Sequence, residues 1–543
     1  MIDALEAIRR QERKKALRSN FEGVWSQIAA LVLPRADDFI TTRTAGVRRD
    51  QAIYDSTGQL ALQAFAAAME SMLTPRTSKW HAIVPADPDA AKDEASMLWC
   101  EQLRDLLFRL RYSAASNFAS QASEHYLNLG AFGTSTMFIE DGMGRGVRYQ
   151  TLPLAECYIA ENAWGVVDEL DRRYSMTARQ ASQRFGEDAL PEAIRKCLTR
   201  EPEKEFEFLH STMPNEDRKG NDKTWRGMAY YACEVSIEGK LKLREGGYRR
   251  WPYPTSRYVT AAREVYGRSP AWDTLGDNKT LQAMSKTGLR YGEQVVDPMW
   301  VTADVDSLNP FTMRPGAVNA GYVNEQGQLL ARSMAPTGDP RYALESENQR
   351  RQAVNRGFLV TLFQILVETP EMTATEALLR AQEKGALLAP TMGRQQSEFL
   401  GPCIAREIDI LTASGVIERY LGPVPEAMRA TGGVSVDYIS PLARLQRSEE
   451  GVGIMRTLEA ATSVAQYDPS ILKSINGTRT LRMLGEINGA PLTMFNTSDE
   501  LAALEQAEQQ QLQAQQLLEA APVAAETAKT MVEAGNAATA ANF

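Results

Sequence analysis

Histidine and cysteine, the residues that most often carry catalysis or bind metals, are scattered along this chain. None of the histidines belongs to an H-E-x-x-H or similar cluster, and no two cysteines form a C-x-x-C pair. We therefore expect no catalytic residue and no metal site, and we interpret the cysteines as buried thiols of a reducing compartment. The residues concerned are His81, His125, His210, Cys100, Cys157, Cys197, Cys233 and Cys403.

Two further patterns could bind a nucleotide or activate water, and neither predicts an enzyme. The chain has no G-x-x-x-x-G-K-[ST] loop, the usual phosphate cradle of an ATPase. The glycines of 142–146 stand between two strand-like segments, which predicts a β-hairpin turn rather than the strand-to-helix loop of a nucleotide site. Carboxylate pairs such as Asp87 and Asp89, or Asp304 and Asp306, lie in loop-like sequence where solvation explains them. We expect no cofactor.

The composition is that of a folded protein with several structural modules. With 543 residues, 43% of them hydrophobic and 24% charged, the chain is too long for one core and suits two to four modules. The N-terminus lacks the apolar stretch of a secretory signal, and the longest apolar run, 358–367, is far shorter than the roughly 20 residues that span a bilayer. We therefore expect a cytosolic chain without membrane contact. A net charge of −9 argues by itself against nucleic-acid binding.

The first half of the chain predicts a mixed α+β region. Apolar residues at helical spacing predict a helix over 58–73. Alternating apolar and polar residues predict a β-hairpin over 134–150 and further strands in 166–176 and 201–262. Thr177 suits the cap of a short helix after the strand that precedes it.

A basic face marks the predicted N-terminal helix. Such a run of cations is most often a solvated helix face, and that is our interpretation. The alternative is contact with phosphate or with an acidic partner. The cations are Arg9, Arg10, Arg13, Lys14, Lys15 and Arg18.

The segment Glu264-Val265-Tyr266-Gly267-Arg268-Ser269-Pro270 predicts a joint that leads into a helix. Gly267 supplies backbone freedom, Pro270 suits the first turn of the helix, and Arg268 stands near the helix start. The helix is expected to end before Asp297-Pro298, because proline cannot donate a hydrogen bond into the helix. Taken alone, the segment is also compatible with an ordinary loop-to-helix junction.

This joint resembles the segment before the stem helix in portal proteins of T7-like short-tailed bacteriophages, the head-to-tail connectors. Downstream, Glu371-Met372-Thr373-Ala374-Thr375-Glu376-Ala377 is similar to the family's Met-Thr-Ala-Thr-Glu motif, although a capping box from Thr373 to Glu376 also explains it as a helix start. The resemblance covers roughly residues 10–500. Its other matches are Tyr54-Asp55-Ser56-Thr57-Gly58, Leu73-Thr74-Pro75 with Trp80, Met176-Thr177-Ala178-Arg179-Gln180, and Gly393-Arg394 with Glu398 and Pro402.

The resemblance implies an α+β, mainly α, portal fold with a hinge at Gly267, Arg268 and Pro270. From the residues alone, the proline-rich segment 298–345 predicts only an elaborated tip between two helices. The implied parts are the wing (1–262), the hinge and first stem helix (263–297), the small α/β clip (298–345), the second stem helix (346–366), the tunnel loop (367–373), the wing helix with the C-terminal part of the wing (374–496), and the helical crown or barrel (497–543).

The C-terminal region differs in composition from the rest. The tract 501–521 has no glycine or proline, and a capping box from Thr497 to Glu500 precedes it, so we predict a helix there. The alanine-rich tail that follows Pro522 has a weak apolar stripe. We expect it to be disordered in an isolated subunit, because a helix of this kind depends on neighbours for its stability.

By resemblance, the chain forms a homo-oligomeric ring, a dodecamer, at one capsid vertex, through which double-stranded DNA is packaged and later ejected. The implied partners are the terminase, then the tail adaptor protein, with the major capsid, scaffolding and internal core proteins around the ring. The implied location is the virion, with the host cytoplasm during assembly of this late protein. In such a conduit an acidic net charge becomes an advantage, because fewer cations hold the DNA in place.

Two groups of residues are candidates for contact with DNA. The resemblance assigns Glu368, Thr369, Pro370 and Glu371 to the tunnel loop, and some relatives carry an arginine where this chain has Glu371. We therefore expect an acidic constriction at Glu368 and Glu371. The stem helices carry six cations that could meet phosphate or pair with carboxylates of neighbouring subunits. These cations are Lys279, Lys286, Arg290, Arg350, Arg351 and Arg356, and the carboxylates are Asp273, Asp277, Glu293, Glu345 and Glu347.

Alternatives from other classes stay open. A different virion structural protein, such as a tail adaptor or an internal core protein, predicts a different oligomer. A terminase or nuclease is disfavoured by the missing phosphate cradle and the scattered metal ligands.

Overall fold

The computed structural model forms two compact units. The first unit comprises Met1–Ala82, Arg104–Gly422 and Tyr438–Leu442, and the second comprises Ile83–Leu103, Pro423–Asp437 and Ala443–Phe543. Within the described part of the chain, every helix is too short or too polar to cross a bilayer. The structure describes residues 3–40, 46–47, 53–142, 146–220, 222, 224–302, 323, 326–329, 331–334, 340–361, 391–431, 433–439, 441–465 and 475–488, with short pieces at 494, 500, 504, 506–507 and 509–511.

Helices contain more of the described residues than strands, so the expected α+β, mainly α, class is confirmed. The helices are α1 (Ala4–Val32), α2 (Thr57–Leu73), α3 (Glu94–Arg111), α4 (Phe118–Phe132), α5 (Ala178–Phe185), α6 (Glu192–Arg200), α7 (Pro270–Asp273), α8 (Leu275–Val296), α9 (Pro340–Gly357), α10 (Gly401–Ala413), α11 (Val416–Leu421), α12 (Glu426–Thr431), α13 (Pro441–Ala465) and α14 (Gly477–Asn488). Short 3₁₀ turns lie at Pro34–Ala36, Ala90–Lys92, Leu154–Glu156 and Trp225–Gly227, and a π-helical turn at Gln396–Leu400 precedes α10.

The strands of the described residues form four sheets. A five-stranded sheet has the order β4-β5-β6-β7-β8, a three-stranded sheet has the order β3-β2-β9, and β1 pairs with β12 and β10 with β11. The strands are β1 (His81–Pro85), β2 (Thr134–Asp141), β3 (Val147–Leu152), β4 (Cys157–Glu161), β5 (Val167–Thr177), β6 (Glu205–Pro214), β7 (Tyr230–Ser236), β8 (Leu241–Tyr248), β9 (Thr255–Arg257), β10 (Met299–Thr302), β11 (Ala331–Met334) and β12 (Val434–Tyr438).

The predicted β-hairpin over 134–150 is confirmed. Strands β2 and β3 pair with Asp141 opposite Val147, and the Gly142 N–H donates to the Gly146 carbonyl at 2.7 Å. The glycines therefore close a hairpin and do not connect a strand to a helix. The predicted cap is confirmed as well, because Thr177 and Gln180 form a reciprocal capping box at the start of α5.

Helices cover both faces of the five-stranded sheet. Leu209 and Met213 of β6 point to the face that carries the start of α1, whereas Phe206 and Phe208 point to the face that carries α5 and α6. This alternation follows from the two-residue period of a strand. The sheet therefore packs apolar residues on both of its faces.

The basic face of α1 is only partly solvated, so that interpretation is wrong for three of its residues. Arg10 is half-buried and forms an ion pair with Glu169 at 2.7 Å. Lys14 Nζ lies 2.8 Å from Asp171 Oδ2 in β5, and the Arg18 guanidinium, 2% exposed, donates to the Cys157 carbonyl at 2.7 Å. The buried carboxylate and carbonyls of the sheet need these cations as partners. Arg9, Arg13 and Lys15 are exposed, as the interpretation requires.

The joint leads into two helices instead of one, since α7 ends at Asp273 and α8 begins at Leu275. Helix α8 packs against α9, and between them β10 and β11 pair with Met299 opposite Met334. Helix α9 begins at Pro340, earlier than the predicted 346, and ends at Gly357, before a turn in which Leu359 adopts φ 58°. Residues 362–390 lie outside the described residues.

The second unit is smaller. It includes the 3₁₀ turn at Ala90–Lys92, which packs against α12, and helices α13 and α14. Cys100 lies 3.9 Å from Met428, both sulfurs being buried. All five cysteines of the chain are free thiols; burial is confirmed for four of them, whereas Cys197 is half-buried.

Candidate functional site

The joint at 264–270 is packed tightly against the corner between α4 and β2. A Cβ atom at Gly133, where φ is +74°, would lie 2.5 Å from the Gly267 carbonyl oxygen, and one at Gly267 would overlap the Gly133 carbonyl oxygen. The Gly267 N–H donates to Thr134 Oγ1 at 2.8 Å. Gly267 is thus required by the close approach of two backbone segments, and its own φ lies outside the left-handed region.

The residues after Gly267 start the helix as predicted. Ser269 Oγ accepts from the Trp272 N–H at 2.9 Å and donates to the Ala131 carbonyl at 2.8 Å, while Pro270 occupies the first turn of α7. Arg268 is half-exposed and forms an ion pair with Glu264 at 2.6 Å. The Ser269 contact ties the helix start to the end of α4, so the joint is anchored on both sides of Gly267.

A second set of contacts attaches the α8–α9 hairpin to the segment before α2. Gln282 Oε1 accepts from the main-chain N–H groups of Tyr54 at 2.7 Å and Asp55 at 3.0 Å, and its Nε2 donates to the Asp55 carbonyl at 2.6 Å. Arg351 Nε lies 2.9 Å from Asp55 Oδ2, and Arg351 Nη2 lies 3.0 Å from Glu347 Oε2. Both helices of the hairpin therefore hold the same short segment.

The charge of Asp55 is stabilised in the folded chain. Burial acts to raise the pKa of this carboxyl, but hydrogen bonds from Thr57 and the Arg351 guanidinium outweigh burial and lower the pKa below its ordinary value. Asp55 stands in the segment that resembles the connector family, and the structure gives it two tasks. It accepts from the Thr57 N–H at 2.8 Å at the start of α2, and it pairs with α9.

The six candidate cations of the hairpin differ in their surroundings. Arg350 pairs with Asp277 at 2.7 Å across the hairpin, and Arg351 pairs with Asp55 and Glu347. Lys279 donates to Gln27 of α1, and the Lys286 ammonium lies 5.4 Å from the centre of the Tyr54 ring. The remaining two, Arg290 and Arg356, are exposed, as are the carboxylates Glu293 and Glu345.

An open groove of about 730 Å³ runs between α8 and α9. Its wall is mainly apolar, and it includes Met284 and Leu289 of α8 and Leu344 of α9, of which Leu289 is 57% and Leu344 56% exposed. The buried side of α8 is more polar than its apolar spacing predicts, because Asn278, Gln282 and Ser285 are buried there beside Leu281. Asn278 packs against Gly58 of α2, where a side chain would collide with it.

Sequence reasoning missed an arginine that connects the joint to the residues after 390. The Arg257 guanidinium is buried and lies 2.7 Å from Glu161 and 2.8 Å from Glu398, and it also donates to the Gly165 carbonyl at 2.7 Å. The Gln395 amide donates to the Arg257 carbonyl at 3.1 Å. Glu398 belongs to the family-like pattern, whereas Arg257 is the last residue of β9 and carries no local signal. These contacts place the π-helical turn before α10 beside the joint.

A second missed group lies in the interior of the first unit. The Arg111 guanidinium donates to both carboxylate oxygens of Glu407 and to His81 Nε2, and the Tyr149 hydroxyl donates to Glu407 at 2.7 Å. Burial acts to lower the pKa of Arg111, but the Glu407 charge outweighs it and raises that pKa. Burial and the Arg111 charge hold the pKa of His81 well below its ordinary value.

The other two histidines are also buried and lie in different places. His125 contacts Ser135 at 3.0 Å and Ser256 at 2.7 Å and stacks on Phe399, and burial lowers its pKa to about 3. His210 contacts the Tyr253 hydroxyl, and burial lowers its pKa to about 4. No group of three or more metal-ligating residues occurs in the part of the chain that the structure describes.

The predicted tunnel loop, with Glu368, Thr369, Pro370 and Glu371, lies outside the described residues. So do the capping box from Thr373 to Glu376 and most of the C-terminal tract after residue 497. The described residues on either side of 362–390 are nevertheless held: α9 pairs with Asp55 before this segment, and Glu398 pairs with Arg257 after it.

Comparison with known proteins gives concordant matches over most of the chain. Residues 4–495 match the profile of the family described as bacteriophage head to tail connecting protein. A probable portal protein of Bordetella phage BPP-1 is 27% identical over 514 residues, which cover 91% of this chain and 89% of the relative. A portal protein of Salmonella phage epsilon15 is 25% identical over 525 residues, which cover 95% and 93%.

Among solved structures, a chain from the neck of a native gene transfer agent particle with C12 symmetry is similar over 79% of this chain and 89% of its own length. The TM-score is 0.34 and the sequence identity 13%.

Proposed function

This chain belongs to the bacteriophage head to tail connecting protein family, and we propose that it acts as a portal. In this role, copies of the chain form a ring at one capsid vertex, and double-stranded DNA passes through the ring during packaging and ejection. The observation that carries the proposal is the family match over residues 4–495, together with the two relatives named portal proteins.

The contacts of the first unit suit a passive conduit. A conduit needs a wall that keeps its shape while DNA moves, and here the α8–α9 hairpin is held by Gln282 and Arg351 to the segment at Asp55. The joint before it is anchored through Gly267 and Ser269. We propose that this hairpin is the stem, and that Gly267, Arg268 and Pro270 are the hinge where the chain enters it.

The remaining parts follow from the resemblance. We assign the wing to 1–262 and 374–496, the clip to 298–345, the tunnel loop to 367–373 and the crown to 497–543. The clip would dock the terminase during packaging and the tail adaptor afterwards, and the wing would face the capsid shell. The ring would be dodecameric and would reside in the virion after assembly in the host cytoplasm.

Contacts within the chain divide the stem cations, because Lys279 and Lys286 contact Gln27 and Tyr54 while two arginines pair with carboxylates. Arg350 and Arg351 are engaged by carboxylates of their own chain, so they stabilise the hairpin. Arg290 and Arg356 are exposed, and we propose that they are the stem cations that meet phosphate. The double variant R290Q/R356Q should then weaken the retention of DNA in the ring. It should also make that retention less dependent on salt concentration, because fewer counterions are released. A matched control is K92Q/R195Q, which removes one cation from the 3₁₀ turn at Ala90–Lys92 and one from α6.

The oligomeric state of the purified chain tests the proposal. Native mass spectrometry should find one oligomer of many copies, negative-stain electron microscopy should show that it is a closed ring with a channel, and the preparation should show no ATPase or nuclease activity when DNA is added. A monomer with DNA-stimulated ATPase or nuclease activity would instead support a terminase or nuclease. A discrete oligomer without an open channel would support another virion structural protein.

A further inference from the structure

The two edges of the five-stranded sheet differ in how their main-chain groups are satisfied. At the β4 edge, the Ile159 N–H donates to the Tyr266 hydroxyl at 3.2 Å, and the Cys157 carbonyl accepts from Arg18 at 2.7 Å. At the opposite edge, the main chain of β8 has no hydrogen-bond partner other than β7 in the described part of the chain. Alternate residues of an edge strand direct their N–H and C=O groups away from the sheet, so β8 presents a row of unpaired donors and acceptors.

The β8 edge is basic, although the chain as a whole has a net charge of −9. Residues 237–250 contain five cations and two carboxylates, and one cation, Lys242, is paired with Glu245 at 2.5 Å. Like charges discourage two such edges from pairing with each other, whereas they favour a strand that carries carboxylates. The other four cations are exposed and form no ion pair among the described residues; they are Lys240, Arg244, Arg249 and Arg250.

A small cleft of about 280 Å³ lies beside the C-terminal half of β8. Gly246 and Gly247 form part of its lining, and a Cβ atom at Gly246 would meet nothing within 4 Å, so another main chain can approach closely here. Two carboxylates of β2 line the cleft as well, Glu140, which is paired with Arg148, and Asp141, which is exposed. A chain that pairs with β8 has room to place one side chain in this cleft.

Arg244 also lines the cleft and lacks the carboxylate that the sheet places opposite it. Glu234 of β7 is its cross-strand neighbour, but Glu234 is instead bonded to Arg184 at 2.9 Å and to the Tyr174 hydroxyl at 2.9 Å. The Arg244 guanidinium is therefore available to a carboxylate that enters the cleft from outside, and a guanidinium can bind a carboxylate through two parallel hydrogen bonds.

We propose that β8 is a docking edge for an extended acidic segment of another protein, which adds to the sheet as a sixth strand. The main chain of this segment completes the hydrogen bonds of β8, and its carboxylates pair with Arg244 and with the cations at the two ends of β8. In this mode of recognition the main chain supplies affinity and the side chains supply specificity. A second copy of this chain fits less well, because its β4 edge is closed and its β8 edge carries like charges. The test separates the acidic segment from DNA, which could also contact exposed cations.

Fluorescence polarisation with the full chain tests the docking edge. The probe is a fluorescein-labelled peptide of alternating valine and glutamate that is as long as β8, and the wild-type chain should bind it. Two control peptides carry N-methyl groups on the valines or on the glutamates. One of the two should bind about tenfold more weakly, because only one set of amides faces β8 and donates to it. A peptide of alternating valine and lysine should not bind. Hydrogen–deuterium exchange of the amides in 241–248 should slow when the acidic peptide is present.

Charge reversal tests the contribution of the cations. The double variant R244E/R249E should weaken binding of the acidic peptide by about tenfold or more, because two attractive pairs become repulsive. The matched control R9E/K15E reverses two exposed cations of α1 and should keep the wild-type affinity. The inference would be overturned by a wild-type chain that does not bind the acidic peptide, by equal affinity for both N-methylated peptides, or by displacement of the peptide with double-stranded DNA. Each of these results would leave the portal proposal standing.

Discussion

The carbonyl oxygen of Gly267 lies where a side chain at Gly133 would begin, 2.5 Å from the Cβ position of that residue. The two glycines bring the end of α4 and the joint before α7 into direct backbone contact. Because the Gly267 N–H also bonds Thr134, this contact orients the path by which the chain enters the α8–α9 hairpin.

Replacing Gly267 with alanine should destabilise the chain by about 1–3 kcal/mol, because the new methyl group has no space against the Gly133 carbonyl. Chemical denaturation measures the effect. The matched control is G276A, where nothing lies within 4 Å of the new Cβ and the glycine stands in α8. This control should be neutral or stabilising, since alanine favours a helix over glycine. Equal stability of G267A and wild type would contradict the close approach.

The Asp55–Arg351 pair should contribute to the attachment of the hairpin. D55N removes the charge that Arg351 and the Thr57 N–H stabilise, and we expect a loss of about 1–3 kcal/mol in the free energy of unfolding. The double-mutant cycle of D55N with R351Q isolates the pair from the other contacts of each residue. As a control, E345Q changes an exposed carboxylate on α9 and should have little effect. A coupling energy of zero would show that the pair does not hold α9.

Buried His125 should make stability depend on pH. Its pKa is lowered to about 3 in the folded chain, whereas an unfolded histidine titrates near pH 6.5, so the unfolded state binds one proton more between these values. Stability should therefore fall as pH drops from about 6.5 towards 3. The variant H125Q should reduce the slope of unfolding free energy against pH by up to about 1.4 kcal/mol per pH unit.

The slope itself is the readout for His125, so a general loss of stability in H125Q does not obscure the result. The control S120A lies at an exposed position of the same helix and should keep the wild-type slope. If H125Q also kept that slope, His125 would be protonated in the folded chain, contrary to its burial between Ser135 and Ser256.

The proposed acidic tunnel loop can be tested by reversing the charge of two of its residues. If Glu368 and Glu371 form the proposed constriction, replacing both with lysine adds cations to it in every subunit, so DNA should adhere more strongly and packaging or ejection should slow. The rate should recover as salt is raised. The neutral variant E368Q/E371Q separates charge from shape and should have a smaller effect. Packaging and ejection rates that match wild type in the lysine variant would refute an acidic constriction.

Local patterns predicted much of the fold. The hairpin around Gly142 and the capping box at Thr177 depend on neighbouring residues, which the sequence displays directly. Other features depend on contacts between distant segments. Gly267 was expected to supply backbone freedom, yet its place depends on Gly133, and Lys14 of the basic face is paired with Asp171. Such partners lie more than a hundred residues away, and no local pattern indicates them.

In the candidate site, too, features set by neighbouring residues were predictable and contacts between distant segments were not. The joint and the order of helix, insert and helix could be recognised from motifs, whereas the roles of Arg257 and Gln282 could not. Arg257 bonds Glu161 and Glu398, and Gln282 bonds the main chain of Tyr54 and Asp55. A single arginine or glutamine in a sequence carries no signal of this kind, because its partners are brought near only by the folded chain.

Cryo-electron microscopy of the purified full-length chain tests the portal proposal most directly. We expect a closed ring with an open central channel wide enough for double-stranded DNA, with the α8–α9 hairpins of successive copies arranged around that channel. A monomer, a solid oligomer, or a ring whose channel is formed without these hairpins would contradict it.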